Sequence, residues 1–303
     1  DPDVLEFTGG ASRGCGTLGL PEMGTFMARG MIEETKPSRF YDLVQLMGLS
    51  HGKDVWNGNS RELIREGICT ISDVIGCRDS IMTTLVHKGL STKMSFTIME
   101  AVRKGKGLTE EQVKVMKEHA VPDWYIESCQ KIKYMFPKAH AVAYSISALR
   151  IAWFKIYRKT EYYCSYFTVR ADDFDSRLMC KDLQTVRFYM SKFISATRNK
   201  DKVLIHLDGA TEEFSADKAK KMYYILELVE EMYCRGVKFL PMDIYESDAT
   251  RFIMVADGQI RPPLNTIPSV SRTVAGNIVA ARKVYKRFVS REDLAAKIGR
   301  AHV

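Results

Sequence analysis

Long apolar runs are missing from this chain. None approaches the roughly 18 residues that a bilayer-spanning helix needs, so no transmembrane helix is expected. A secretory leader is missing too. The chain opens Asp1-Pro2-Asp3, with neither a basic n-region nor an initiator Met, and we expect its true N-terminus to lie upstream. Cysteine pairs are lacking: Cys15, Cys69, Cys77, Cys129, Cys164, Cys180 and Cys234 are scattered, odd in number, and form no Cys-x-x-Cys. That usage fits small buried hydrophobes in a reduced, cytoplasmic protein rather than a disulfide framework. No His-Glu-x-x-His and no Cys/His cluster has zinc spacing, so no metal ligand is expected. The glycine-rich opening lacks the Gly-Lys-Ser/Thr ending of a Walker loop. Low-complexity tracts and repeats of roughly 20 to 50 residues are also absent, which argues against solenoids and propellers.

What is present is ordinary in bulk. The chain has 303 residues, room for two or three small domains, with 46% hydrophobic and 27% charged residues. Its 45 Lys and Arg outnumber its 37 Asp and Glu, a net charge of +8. An excess of this size suits a polyanionic partner such as nucleic acid, and it also serves solubility alone.

The pattern along the chain is mainly α. Residues 1–25 are glycine-rich and irregular, and residues 26–133 read as short helices joined by polar turns, with Ser72, Thr109 and Asp123 as expected N-caps. Helical spacing is strongest over 137–157, where Val142, Ile146, Leu149, Trp153 and Ile156 form one apolar stripe expected to face the core. It recurs over 182–196 and over 221–235, the latter stopped by Gly236. A small β element is expected around Asp257-Gly258, a boundary at Pro262-Pro263, and a helical pair over roughly 266–297.

The 137–157 helix also carries candidate chemistry. Pro137 suits a helix start, first-turn N–H groups form a ready anion site, and Lys138 adds a full charge beside them. At about 100° per residue, His140, Tyr144, Ser147 and Ile151 share the face opposite Val142. Such a helix could seat a nucleoside triphosphate, phosphates at the N-terminus and sugar or base against Tyr144. The alternative is an ordinary solvated face.

The run Tyr134-Met135-Phe136-Pro137-Lys138-Ala139-His140-Ala141-Val142-Ala143-Tyr144, and the wider stretch from Asp123, resembles the fingers of PolC-type bacterial DNA polymerase III alpha subunits. Further blocks match in family order: Gly16 to Thr25, Gly48 to Trp56, Val74 to Asp79, Val102 to Glu110 and Tyr166 to Asp175. Together they cover about residues 14–297. Two stretches depart from the family: Tyr157-Arg158-Lys159-Thr160 stands where the relatives usually end in proline, and residues 197–215 match no motif.

The resemblance implies a replicative DNA-directed DNA polymerase, with dNTP and primer–template DNA as ligands, at work in the bacterial cytoplasm. In the full-length enzyme it implies Mg2+ held by palm carboxylates upstream, a sliding clamp and other replisome subunits. No catalytic residue is therefore expected in this chain, and the chain alone is expected to be inactive. Arg78 is the expected triphosphate contact, because a guanidinium grips phosphate oxygens in pairs. Its alternative is an ion pair with Asp79 or Asp73. Lys138 is a second contact, His140 and Tyr144 shape the pocket, and the Ser50-His51-Gly52 loop admits close backbone approach at Gly52. Lys104 and Lys106 touch template phosphates or simply form a solvated basic turn. Asp172-Asp173-x-Asp175 looks like a paired-carboxylate site, but a helix-capping acidic loop explains it as well. Near the end, Ile267-Pro268-Ser269-Val270-Ser271 followed by Val274, Ile278 and Ala281 looks like a helix-hairpin-helix. Ser269 and Ser271 stand there where glycines usually let backbone N–H groups approach a phosphate, and Arg272 follows them.

The expected architecture is thus a helical fingers domain with a small β element and a helix-hairpin-helix-like end. Residues 1–25 form the palm–fingers junction, 26–175 the fingers core, 176–261 outer helices and the β element, and 262–297 the duplex-binding segment. Residues 298–303 resemble translated sequencing adapter, since ATC GGA AGA GCA CAC GTC encodes them. Competing classes are a non-catalytic helix-hairpin-helix DNA-binding module and a purely structural helical scaffold.

Overall fold

A computed structural model describes residues 2–6 and 15–300. The chain divides into two compact units, one of residues 14–152 and one of residues 1–13 with 153–303.

The first unit is helical. It comprises α1 (Phe26–Thr35), α2 (Phe40–His51), α3 (Arg61–Arg65), α4 (Arg78–His87), α5 (Thr92–Arg103), α6 (Glu110–Glu118), α7 (Asp123–Lys131) and most of α8 (Lys138–Tyr157). Side chains set the helix starts. Thr25 accepts from the Ala28 N–H, Ser91 from Met94, and Thr109 forms a reciprocal capping box with Gln112. Two of the expected caps differ. Ser72 caps no helix; its hydroxyl donates to Asp42 Oδ1 at 3.0 Å, because the buried Asp42 gathers donors from Ser38, Arg39 and Ser72. Asp123 lies inside the first turn of α7, behind Pro122 at the cap position, where an acidic residue still favours the helix dipole.

Leu49, Val55, Ile75, Ile81, Leu85, Ile98, Val102, Met116, Cys129 and Ile132 make the main core of this unit. A second cluster joins Leu20, Met23, Val44, Met47 and Cys77 to Ala141 and Ala148 of α8. This corrects the apolar stripe expected for α8. Ile146, Leu149 and Trp153 are 40%, 43% and 51% exposed, whereas Ala141, Ser145 and Ala148 are fully buried. Ile151, expected on the polar face, also packs on that cluster. Most faces of α8 are apolar, so spacing alone could not select one. The smallest side chains win because they let the helix axis come close to its neighbours.

The second unit holds α9 (Lys159–Arg170), α10 (Ser176–Met179), α11 (Leu183–Asn199), a hairpin of β1 (Val203–Leu207) and β2 (Ala210–Phe214), and α12 (Ala216–Cys234). β3 (Lys238–Phe239), β4 (Ile253–Ala256) and β5 (Gln259–Arg261) follow, then α13 (Arg272–Tyr285) and α14 (Arg291–Arg300). β1 and β2 pair antiparallel with Leu207 opposite Ala210. β5 lies between β3, parallel to it, and β4, antiparallel. The turn of the small sheet is tied to α9: the Thr160 hydroxyl donates to Asp257 Oδ1 at 2.6 Å and accepts from the Gly258 N–H at 2.9 Å. Phe167, Phe174, Phe239 and Phe252 pack ring against ring.

One polar group lies deep in this unit. Lys155 and Glu231 pair at 2.8 Å, and the Tyr163 hydroxyl donates to Glu231 Oε1 at 2.6 Å. Arg235 donates to the carbonyls of Lys155 and Leu5 and to the Tyr163 oxygen. Lys155 is paired with a carboxylate and Arg235 is held by carbonyl and hydroxyl oxygens, so each buried charge is hydrogen-bonded, as burial requires.

Of the adapter-like tail, Ile298 to Arg300 continue α14, and residues 301–303 lie outside the described residues, as do Gly9, Gly10 and Gly14 of the glycine-rich opening.

Candidate functional site

Within the first unit, α4 begins at Arg78 and α8 at Lys138, and the two starts abut. The Arg78 N–H donates to the Phe136 carbonyl at 3.2 Å, and the Lys138 N–H donates to Asp79 Oδ2 at 2.6 Å. Asp79 therefore caps α8 rather than pairing with Arg78. Asp73, the other candidate partner, accepts from the Thr70 N–H and hydroxyl in its own turn. The Arg78 Nε is buried without a hydrogen-bond partner among the described residues. Lys138 Nζ lies over the Tyr41 ring, 4.9 Å from its centroid.

The loop before Arg78 is held from α2. The buried Gln45 donates to the Val74 carbonyl at 2.7 Å. Gly48 lies so close to Gly76 that an added Cβ would fall 2.2 Å from the Gly76 oxygen. The segment before Lys138 is held by Lys53, which exchanges backbone hydrogen bonds with Tyr134 and Lys133. Gly52 is needed here too, but for a contact within the protein: a Cβ would meet Val55 at 2.3 Å and the Tyr134 carbonyl at 3.0 Å.

Beside these helix starts stands an aromatic wall. Phe136 stacks on His140 at 4.7 Å, and His140 lies 4.6 Å from Tyr144. His51 meets Phe136, His140 and Tyr144 at 5.6, 5.4 and 5.9 Å. The His51 Nδ1 is 2.7 Å from the Met47 carbonyl, which can only accept, so Nδ1 carries the proton. That leaves Nε2 facing Glu22 at 3.4 Å. Ser50 turns back to the Met47 carbonyl. The His140 Nε2 is buried without a partner among the described residues. Cys77 is fully buried, and burial pushes its thiol up to about 12, with Asp79 adding to the rise and Lys138 opposing it.

The geometry brings together Arg78, Lys138, His140, Tyr144, Ser50, His51 and Gly52. Sequence reasoning did not single out Phe136, Tyr41 or Glu22 as part of this group, and it weighed Asp79 only as an ion partner. An acidic residue in the first turn of a helix was the one available signal for Asp79. Lys104 and Lys106 lie after α5. Lys104 pairs with Glu100 at 2.9 Å, while Lys106 is exposed. Gly105 of that turn sits at φ +68°, and an added Cβ there would fall 2.5 Å from the Lys133 carbonyl oxygen.

The second unit carries the other candidates. Ser271 caps α13 by accepting from the Val274 N–H at 3.1 Å, and Ser269 sits at φ +71°, in the left-handed region. Arg272 lies 3.5 Å from Asp172 in an exposed pair. Of the neighbouring carboxylates, Asp175 caps α10 and holds Arg177, and Asp173 faces Lys221.

Residues 6–122 match the family model of the bacterial DNA polymerase III alpha subunit finger domain, and residues 236–303 that of a helix-hairpin-helix motif. The chain is 49% identical over 279 residues to the PolC-type DNA polymerase III of Oceanobacillus iheyensis, covering 92% of this chain and 18% of that protein. Against the Bacillus subtilis protein of the same name it is 48% identical over 304 residues, covering 97% and 20%. Against that of Staphylococcus aureus it is 49% identical over 284 residues, covering 94% and 19%. The chain spans about a fifth of the length of these curated relatives.

Proposed function

Since the chain belongs to the PolC-type DNA polymerase III family, we propose that it supplies the fingers of a replicative DNA-directed DNA polymerase, where the incoming dNTP is held against the primer–template. The observation that supports this most is the meeting of two helix starts, each opening on a cation, beside the wall of Phe136, His140, Tyr144 and His51. Arg78 and Lys138 hold the triphosphate. The wall borders the sugar and base. Fixed cations of this kind lower a barrier at which negative charge grows on the transferred phosphoryl group and the leaving pyrophosphate.

Among the described residues, no group of three or more His, Cys, Asp or Glu side chains is placed to hold a metal ion. The described residues do not fit the two-metal centre of such chemistry. We assign Mg2+ to carboxylates of the polymerase outside this chain, and the work of this chain to binding and orientation. Ser269, Ser271 and Arg272, with Lys104 and Lys106, contact DNA phosphates. The sliding clamp, the other replisome subunits and the bacterial cytoplasm are the partners and setting of this reading.

The test is steady-state kinetics in the full-length polymerase. Arg78→Ala and Lys138→Ala each raise the KM for dNTP, by about tenfold or more, as expected for loss of a charge-assisted contact worth roughly 1.5–3 kcal/mol. If both leave nucleotide use untouched, the reading fails. The match over residues 236–303 and the capped α13 favour one other reading, a helix-hairpin-helix DNA-binding module. That module would bind DNA equally well with and without dNTP, and equally well in Arg78→Ala.

A further inference from the structure

The two cations of the proposed triphosphate site sit on different helices, and what fixes one against the other is a pair of hydrogen bonds running in opposite directions. The Arg78 amide donates across to the Phe136 carbonyl, and the Lys138 amide donates back to the Asp79 carboxylate. One bond alone would leave a hinge about which α8 could turn. Two fix both the separation and the rotation of its first turn. Each side of this clasp is braced independently. Gln45 and the close approach of Gly48 to Gly76 hold the loop leading to Arg78. The exchange between Lys53 and Tyr134 holds the segment leading to Lys138.

We propose that Asp79 is a positioning residue for the nucleotide, its carboxylate clasping the start of α8 to the start of α4 so that Lys138 and Arg78 address one triphosphate. This rests on the reading of Arg78 and Lys138 as triphosphate contacts and deepens it. The carboxylate acts in two ways. Its oxygen satisfies a first-turn N–H that the helix cannot, so the phosphates meet Lys138 through its ammonium rather than its amide. Its charge, on the residue next to Arg78 and bonded to the amide of Lys138, offsets the repulsion between two cations that no anion yet bridges. An ordinary cap would contribute to stability alone. A clasp between two substrate-binding side chains also sets how well they converge, and a misplacement of about 1 Å at such a site is enough to cost a large factor in turnover or affinity.

The experiment compares Asp79→Ala, Asp79→Ser and Asp79→Asn in the full-length polymerase, with Arg78→Ala and Lys138→Ala alongside. Asp79→Ala is expected to raise the KM for dNTP about tenfold while leaving primer–template affinity unchanged. Asp79→Ser, a side chain too short to reach the Lys138 amide, should do the same, and it decides the matter if the alanine variant does not fold. Asp79→Asn keeps an oxygen at the same reach and should bring KM back to within about threefold of the native value, a rescue that loss of fold stability alone would not produce. The inference is overturned if the alanine and serine variants keep a native KM while Arg78→Ala and Lys138→Ala raise it, or if asparagine fails to rescue. If Arg78→Ala and Lys138→Ala themselves change nothing, the triphosphate site falls, and the role of Asp79 falls with it.

Discussion

Ser269 holds a backbone conformation, φ +71°, that glycine adopts freely and serine does not. It stands in the hairpin ahead of α13, exposed, where a side chain gains little in return. Ser269→Gly should therefore stabilise the second unit by up to about 1 kcal/mol, read as a higher urea midpoint at unchanged slope. A lower midpoint would show that the serine side chain matters more than its backbone strain. At this scale the sequence was partly legible. Most residues that gather around the start of α8 lie in quoted motifs, although Tyr41 does not, and the Asp79 clasp joins positions 59 apart, a range that no local pattern encodes. The need for glycine at position 52 also has a source no local pattern shows, since an added Cβ would meet Val55 and the Tyr134 carbonyl.

Helices show the same limit differently. The extent of α8 was readable, because its spacing and Pro137 fix where it begins, yet its buried face was not. Two substitutions separate the faces. Ala148→Leu forces a large side chain into the contact with Val44, Met47 and Cys77 and should cost about 1–3 kcal/mol, while Leu149→Ala next door should stay within roughly 0.5 kcal/mol. Equal effects in denaturation would contradict the burial described. Turns behaved unevenly. Asp257-Gly258 announced β4 and β5, but the same dipeptide at Asp208-Gly209, between Val203–Leu207 and Ala210–Phe214, marks a hairpin that went unread. Both residues have positive φ there, as a two-residue hairpin turn demands.

For the molecule as a whole, acid should act on the first unit through Asp42. Burial raises its carboxyl, but the Ser38 and Arg39 amides and the Ser72 hydroxyl outweigh burial and hold it below the ordinary range. Because the folded value lies below the unfolded one, the resulting stability is present above about pH 4 and is lost as pH falls through the folded value. Asp42→Asn should flatten that part of the stability curve below about pH 4, measured by denaturant melts at several pH values. An unchanged curve would assign the acid response elsewhere. Fold class and family were readable from composition and motif order, since both sum over many residues. The place of Leu5 in the unit of residues 153–303 was not, because its carbonyl meets Arg235 across 230 residues. That meeting has a consequence for biosynthesis. A ribosome adding about 5–20 residues per second releases Leu5 roughly 10–45 seconds before its arginine exists. Residues 14–152 have every partner of their own core in hand during that interval and can fold while still attached. The flanking unit must wait for the nascent chain to lengthen, so a translational pause before Arg235 would expose one unit and spare the other.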